Sequence, residues 1–152
     1  MERTLRGRVA IVGVGETAYY KRGMSPHAEF KLALDAIIAA CKDAGISPKE
    51  IDGFSSYSND RNDPSRIAAA LGIVELKFSS MQWGGGGGGG SAALSNASAA
   101  IAAGVADCVI VFRSLAQGQF GRFGQGPELN TISGEYAHTI PYGLMSPAKC
   151  SR

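Results

Sequence analysis

Residues 81–112, MQWGGGGGGGSAALSNASAAIAAGVADCVIVF, decide the fold. Seven consecutive glycines, Gly84 to Gly90, follow Trp83 and lead into an Ala-rich run that Gly104 stops, and a β-branched run, Cys108 to Phe112, comes next. From Ser91 to Phe112 the stretch has the length and apolarity of a membrane span. Asn96, Gly104 and Asp107 interrupt it and divide it into a helix ending near Gly104 and a strand at Cys108–Phe112, so no membrane span is expected. The glycine run alone has the composition of a flexible linker. A linker joins independent domains, whereas this run lies between a strand end and a helix start. Glycines at such a turn permit positive φ and let a ligand approach the backbone, and the helix that follows presents free N–H groups. The run is therefore read as a binding turn.

Working outward, Val9 to Val14 is a continuous apolar run, the pattern of a first strand buried on both faces. Ser25 and Pro26 stand at the N-cap and first turn of a helix carrying Phe30, Ala33, Leu34, Ile37, Cys41 and Ala44 at helical spacing, closed by Gly45. Ser47, Pro48 and Glu50 cap a single turn before a second strand, Ile51 to Tyr57. After the polar loop Ser58–Asp63, Asp63 and Pro64 start a short helix that Gly72 stops, and Val74 to Met81 reads as a third strand. Strands alternating with helices build an α/β domain, a mostly parallel sheet with helices on its faces. From Leu115 the chain turns glycine-rich and loses its period. The expected division is a core at 1–114 and a loop excursion with a truncated end at 115–152.

With 152 residues there is enough chain for one such domain. The 15 Lys and Arg against 13 Asp and Glu are scattered, which argues against a nucleic-acid partner. Cys41, Cys108 and Cys150 are odd in number and lack a CxxC pair, so neither a disulfide framework nor a zinc site is expected, and a reducing cytoplasm fits best. The basic N-terminus MERTLRGRVAIVGVGE has too short an apolar run for a signal peptide. Gly13, Gly15 and Ala18 satisfy a dinucleotide-binding spacing, but Glu16 sets a negative charge where a pyrophosphate would sit, and the helix does not begin until Pro26.

Three stretches, AIVGVGETAYYKRG (10–23), DAGISPKEIDGF (43–54) and WGGGGGGGSAALSNASAAIAAGVADCVIV (83–111), resemble the thiolase superfamily, most closely its sterol-carrier-protein and lipid-transfer-protein branch. The likeness runs from Val9 to Phe112 and more loosely through PYGLMSP. It implies the N-terminal half of the thiolase fold. In thiolases this turn carries the nucleophilic cysteine, at the head of a buried helix that ends in Ile-x-x-Gly. Counting back from Ile101 and Gly104 puts Gly87 at that position. A helix N-terminus lowers a thiol's pKa, but glycine has no thiol to activate. No catalytic residue is therefore assigned, and Trp83, Gly87, Gly88, Ser91 and His138 are the candidate substrate contacts.

Cys41 and Cys108 fall on apolar elements and read as small core residues. Ser91 has the alternative reading of an N-cap, and His138 that of a surface loop residue. The resemblance implies an acyl-CoA substrate with no resident cofactor, a homodimer to which Phe120, Phe123 and Tyr142 contribute, and a small OB-fold partner protein. The family's Gly-His-Pro histidine and second cysteine belong to a later half absent from these residues, and AKCSR at the end suggests truncation or a frame change near Lys149. The resemblance first implies thiolase-like C–C bond cleavage or acyl transfer next to a CoA thioester, inactive in this chain alone without the later half, because acyl transfer or thiolytic cleavage requires the missing cysteine. Retro-aldol cleavage of a β-hydroxyacyl-CoA does not, and a non-catalytic acyl-CoA or lipid binder, or a remnant, is the further alternative.

Overall fold

Residues 5–58, 60–82, 86–116 and 140–142 are described by a computed structural model. Helix α1 (Glu29–Ala44) buries Leu32, Ala33, Ile37 and Cys41 on one face, and Gly45, at φ 71°, closes it by donating to the carbonyls of Cys41 and Lys42. It starts later than Ser25 and Pro26 suggest. The Ser25 hydroxyl is engaged locally, accepting the His27 N–H at 3.2 Å and donating to the His27 carbonyl at 2.9 Å, and Ala28 becomes an N-cap without a side-chain bond. A 3₁₀ turn at Pro48–Glu50 has the expected capping box, with Glu50 accepting the Ser47 N–H at 2.8 Å.

Strand β1 (Gly53–Tyr57) follows, then α2 (Pro64–Leu71), capped by the Asp63 carboxylate on the Ser65 N–H at 2.8 Å and closed by Gly72. Strand β2 (Phe78–Gln82) leads through a 3₁₀ turn at Gly86–Gly88 into α3 (Gly89–Ala102), and β3 (Val109–Val111) completes the sheet. A separate 3₁₀ turn spans Ile140–Tyr142. The sheet is parallel in the order β2-β1-β3, with Phe54 beside Ser79 on one side and Ile110 on the other. The fold class is α/β, with three α-helices about a three-stranded parallel sheet among the described residues. Among the described residues no helix is long and apolar enough to cross a membrane.

Phe54, Ile37, Ile51, Ile67 and Cys41 are the fully buried centre of the core. The Phe54 and Phe112 rings meet edge to face at 6.0 Å between centroids. Asp52, just ahead of β1, holds the entry to all three strands. Its carboxylate accepts the N–H groups of Asp107 and Cys108 at 2.8–3.0 Å and pairs with Lys77 at 3.0 Å, while its carbonyl accepts the N–H groups of Lys77 and Phe78. Burial pushes this carboxyl's pKa up, but the two N–H donors and the Lys77 ammonium outweigh it and hold it below the ordinary carboxylate value.

Two strand expectations are corrected. Val74 is fully exposed and pairing begins only at Phe78, because the hydrogen bonds from Lys77 and Phe78 to Asp52 set where β2 joins the sheet. Val9–Val14 forms no strand, and no strand pairing reaches it among the described residues. Its Gly13 and the Gly15 that follows pack on α1: a Cβ at Gly13 would stand 2.5 Å from the Ala40 carbonyl oxygen, and one at Gly15 would overlap the backbone of Ala36 and Ala40. Its other side borders a cavity of about 840 Å³ that Val109 and Ile110 of β3 line from across. With no described residue between it and β3, the apolar run has no strand partner among the described residues.

Candidate binding site at the glycine turn

In open parallel sheets ligands bind beyond the carboxyl ends of the strands. Here those ends are Tyr57 on β1 and Gln82 on β2, with Arg113 just past β3, and α3 begins beside them. The edge is held together by polar contacts. Ser58 adopts a left-handed φ of 56°, a conformation that costs a non-glycine residue energy and that surrounding contacts must hold. Its N–H donates to the Gln82 carbonyl at 3.0 Å, and its own carbonyl accepts Arg113 Nη2 at 3.1 Å. The Arg113 guanidinium also lies over the Tyr57 ring at 4.8 Å from the centroid.

Asp60 is buried, accepting the Asn62 N–H and Nδ2 at 2.8 Å and the Ser114 N–H at 2.9 Å, which ties the loop after β1 to the segment after β3. Ser114 Oγ donates to the Glu29 carbonyl and the Ala116 N–H to Glu29 Oε2, so the start of α1 is joined to the same edge. Under α3, the buried Ser55 hydroxyl donates to the Ala93 carbonyl at 2.9 Å and lies 3.3 Å from Ser80 Oγ, to which Asn96 Nδ2 donates. These contacts pin the helix to the sheet.

Within the turn, Gly87, Gly88, Gly89 and Gly90 all keep ordinary φ, so the expected use of positive φ is corrected for these four. Close approach is their requirement at one end. A Cβ on Gly89 would stand 2.5 Å from Tyr57 Cδ2. Gly87 and Gly88 are different: both are exposed, and a Cβ there meets no described atom within 4 Å. Packing does not demand glycine at position 87, so a thiol-bearing side chain would fit there.

Gly88 is the N-cap of α3 and supplies no side-chain bond to the first-turn N–H groups. Ser91 is exposed and is the third residue of the helix, its carbonyl accepting the Ser95 hydroxyl at 3.0 Å, so the N-cap reading of Ser91 is corrected. Gly87, Gly88 and Ser91 are thus consecutive features of one helix start. Trp83 and His138 lie outside the described residues, as do Phe120, Phe123, Cys150 and most of 115–152. Tyr142 is exposed.

Neither described thiol has the character of a nucleophile. Burial, and then the charge of Glu50, raises the pKa of Cys41; burial, and then Asp52, raises that of Cys108. No cluster of metal-ligating side chains occurs among the described residues. Sequence reading missed Tyr57, Ser58, Asp60 and Arg113. The available signal was position: each stands at or just beyond the carboxyl end of a strand.

No protein-family model matches the chain. It is 36% identical over 150 residues to a 17-hydroxy-3-oxo-4-pregnene-20-carboxyl-CoA lyase of Mycobacterium tuberculosis. It is 35% identical over 150 residues to a steroid side-chain-cleaving aldolase of Thermomonospora curvata. Each match covers 95% of this chain but 38% of the relative, so the chain spans well under half the length of these curated relatives. A solved structure, the Ltp2-ChsH2(DUF35) aldolase, superposes with a TM-score of 0.70 at 32% identity, over 91% of this chain and 34% of that one. With its glycine turn entering a helix buried on a parallel sheet, the chain has a thiolase-superfamily fold of the sterol-carrier-protein type.

Proposed function

We propose that this chain is the glycine-turn half of a retro-aldol lyase that cleaves a steroid-type β-hydroxyacyl-CoA. The observation that supports this reading is the pair of relatives, a carboxyl-CoA lyase and a steroid side-chain-cleaving aldolase, each matched along 95% of the chain. The site is compatible with it, because retro-aldol cleavage forms no acyl-enzyme and needs no thiol at position 87. A base takes the proton of the β-hydroxyl, the oxygen's electrons form a ketone, and the bond between the α and β carbons breaks. Its electron pair becomes a thioester enolate that is protonated on the α carbon. The negative charge builds on the thioester oxygen, where the uncapped N–H groups at the start of α3 are suitable donors.

On this reading Trp83, Gly87, Gly88, Ser91 and His138 contact the CoA thioester, and no resident cofactor is needed. Residues 1–114 supply the core and 115–152 the excursion beside it. A small OB-fold protein is the proposed partner, in line with the two-component name of the matched aldolase, and a homodimer is the proposed assembly. Acyl transfer is the weaker reading, since position 87 has room for a thiol and carries none.

The test is a thermal melt of the 152-residue chain with and without 3-hydroxybutyryl-CoA, alongside Gly87→Trp. A melt raised by the ligand in the parent and not in the variant supports the reading. An equal rise in both places the ligand elsewhere, and no rise in the parent removes the acyl-CoA site from this chain. Release of acetaldehyde and acetyl-CoA from 3-hydroxybutyryl-CoA, or of a ketone and a shortened acyl-CoA from a tertiary β-hydroxyacyl-CoA, on addition of the OB-fold partner would separate a lyase from a mere binder.

A further inference from the structure

Gly87 and Gly88 face open space while Gly89 and Gly90 face an aromatic ring, and that contrast identifies what shapes the turn. The body of the Tyr57 ring fills the place of a side chain at Gly89, where a Cβ would lie 2.5 Å from Cδ2, 3.1 Å from Cγ and 3.2 Å from Tyr57 Cβ. Its phenol end lies by Gly90, with Cζ and Oη 3.6 Å from a Cβ built there. Tyr57 is the last residue of β1. The ring is further held by the Arg113 guanidinium, itself tied to the carbonyl of Ser58. Ser58 in turn keeps its left-handed backbone and bonds to the end of β2.

Tyr57 is half-buried and is no member of the apolar core cluster. A residue there for core packing alone would not need a guanidinium on its ring, a strained neighbour and a glycine at position 89 cut to its outline.

We propose that Tyr57 is a positioning residue for the binding turn: its ring is the surface on which the first turn of α3 rests, and it thereby sets the direction of the Gly87 and Gly88 N–H groups. This rests on the reading of the turn as the thioester site. The ring does the work and the hydroxyl does not, since the ring body makes the closest approach. Glycine at position 89 is its steric counterpart.

The experiment follows the backbone amide signals of Gly87 to Ala92 in the 152-residue chain, together with its melt in the presence of 3-hydroxybutyryl-CoA. Tyr57→Phe should match the parent in both. Tyr57→Leu and Gly89→Ala should each shift these amide signals and abolish the ligand-induced rise, while the unliganded chain still melts cooperatively. The double variant should cost less than the sum of the two single changes, because leucine keeps Cβ and Cγ but its methyls can turn away from the 2.5 Å contact that the fixed ring Cδ2 makes.

Unmoved Gly87 and Gly88 signals in Tyr57→Leu overturn the proposal, as does strict additivity in the double variant. If Tyr57→Leu fails to fold, Gly89→Ala decides: unmoved Gly87 and Gly88 signals there overturn it equally. A parent that ignores the ligand removes the functional reading, but the amide signals still decide the role of Tyr57.

Discussion

Gly53–Tyr57 and Val9–Val14 rank in opposite orders by hydrophobicity and by burial. The first, GFSSY, is half polar yet central, with Ser55 and Ser56 at 0% and 3% exposure. The second, VAIVGV, is almost wholly apolar, yet Ile11, Val12 and Val14 are 66–72% exposed. What separates them is partnership. Strand β1 has β2 on one edge, β3 on the other and α3 across its face, and its buried Ser55 hydroxyl is satisfied by hydrogen bonds to Ala93 and Ser80. Val9–Val14 has α1 on one side and the 840 Å³ cavity on the other. Apolar character favours burial but does not supply the surface that buries it.

The sharpest test sets Phe54→Ala against Ile11→Ala. Phe54 is fully buried against Phe112, and its truncation should cost about 3–5 kcal/mol by urea denaturation, enough to abolish a cooperative transition in a marginal domain. Ile11→Ala should stay within about 0.5 kcal/mol of the parent, as exposed sites do. A large loss at Ile11 would mean that the segment is buried in solution after all and would break the comparison.

Next in size is Asp52→Asn, which loosens the entry to the sheet and leaves Val9–Val14 untouched. Weakened bonds to the Asp107 and Cys108 N–H groups and to Lys77 should cost about 2 kcal/mol at neutral pH. The pH dependence has a definite sign. The Asp52 pKa is lowered in the folded chain, so its stabilisation is fully present above about pH 4, the unfolded value, and is lost as pH falls through the lower folded value. Lys77 has a raised pKa, so its share is present below about pH 10 and is lost as pH rises through the higher folded value. The gap between parent and variant should therefore form a plateau across neutral pH that closes at both extremes. A gap independent of acid would assign the effect to packing.

The sequence was most legible where local chemistry decides. Ser47 with Glu50, Asp63 with Pro64, and Gly45 and Gly72 marked boundaries that the structure keeps, because a cap or a left-handed glycine acts within a few residues. The parallel order was legible from alternation. Illegible were features that depend on distant partners: the late start of β2, set by Asp52, and the missing pairing of Val9–Val14. At the turn, the glycine run was read as leading into a helix, as it does, but the reason for its glycines was misread. The glycines looked like a source of unusual φ, whereas Gly89 is required by Tyr57, a residue 32 positions earlier that no local pattern connects to it.

A smaller effect is expected from Gly13→Ala. The added methyl meets the Ala40 carbonyl and the Ala44 side chain, so the segment should lift from α1 at a cost of about 1–3 kcal/mol. Limited proteolysis should then cut within residues 9–15 while β1 stays protected. Cleavage spreading into β1 would show that the two regions unfold as one unit.

The smallest effect concerns the two described thiols, both of which line the cavity between these regions. Raised pKa values leave each with less thiolate at neutral pH than an ordinary cysteine, so iodoacetamide should label both slowly at pH 7 and faster as pH rises. The segment covers one wall of the cavity, and Cys108 is less buried than Cys41. Lifting the segment with Gly13→Ala should therefore speed labelling of Cys108 by about threefold to tenfold, in keeping with the low cost of local opening, and leave Cys41 at the parent rate. Peptide-resolved mass spectrometry distinguishes the two sites. Equal acceleration at both would mean that α1 itself had loosened, and no acceleration at either would mean that the segment never shielded the β3 edge.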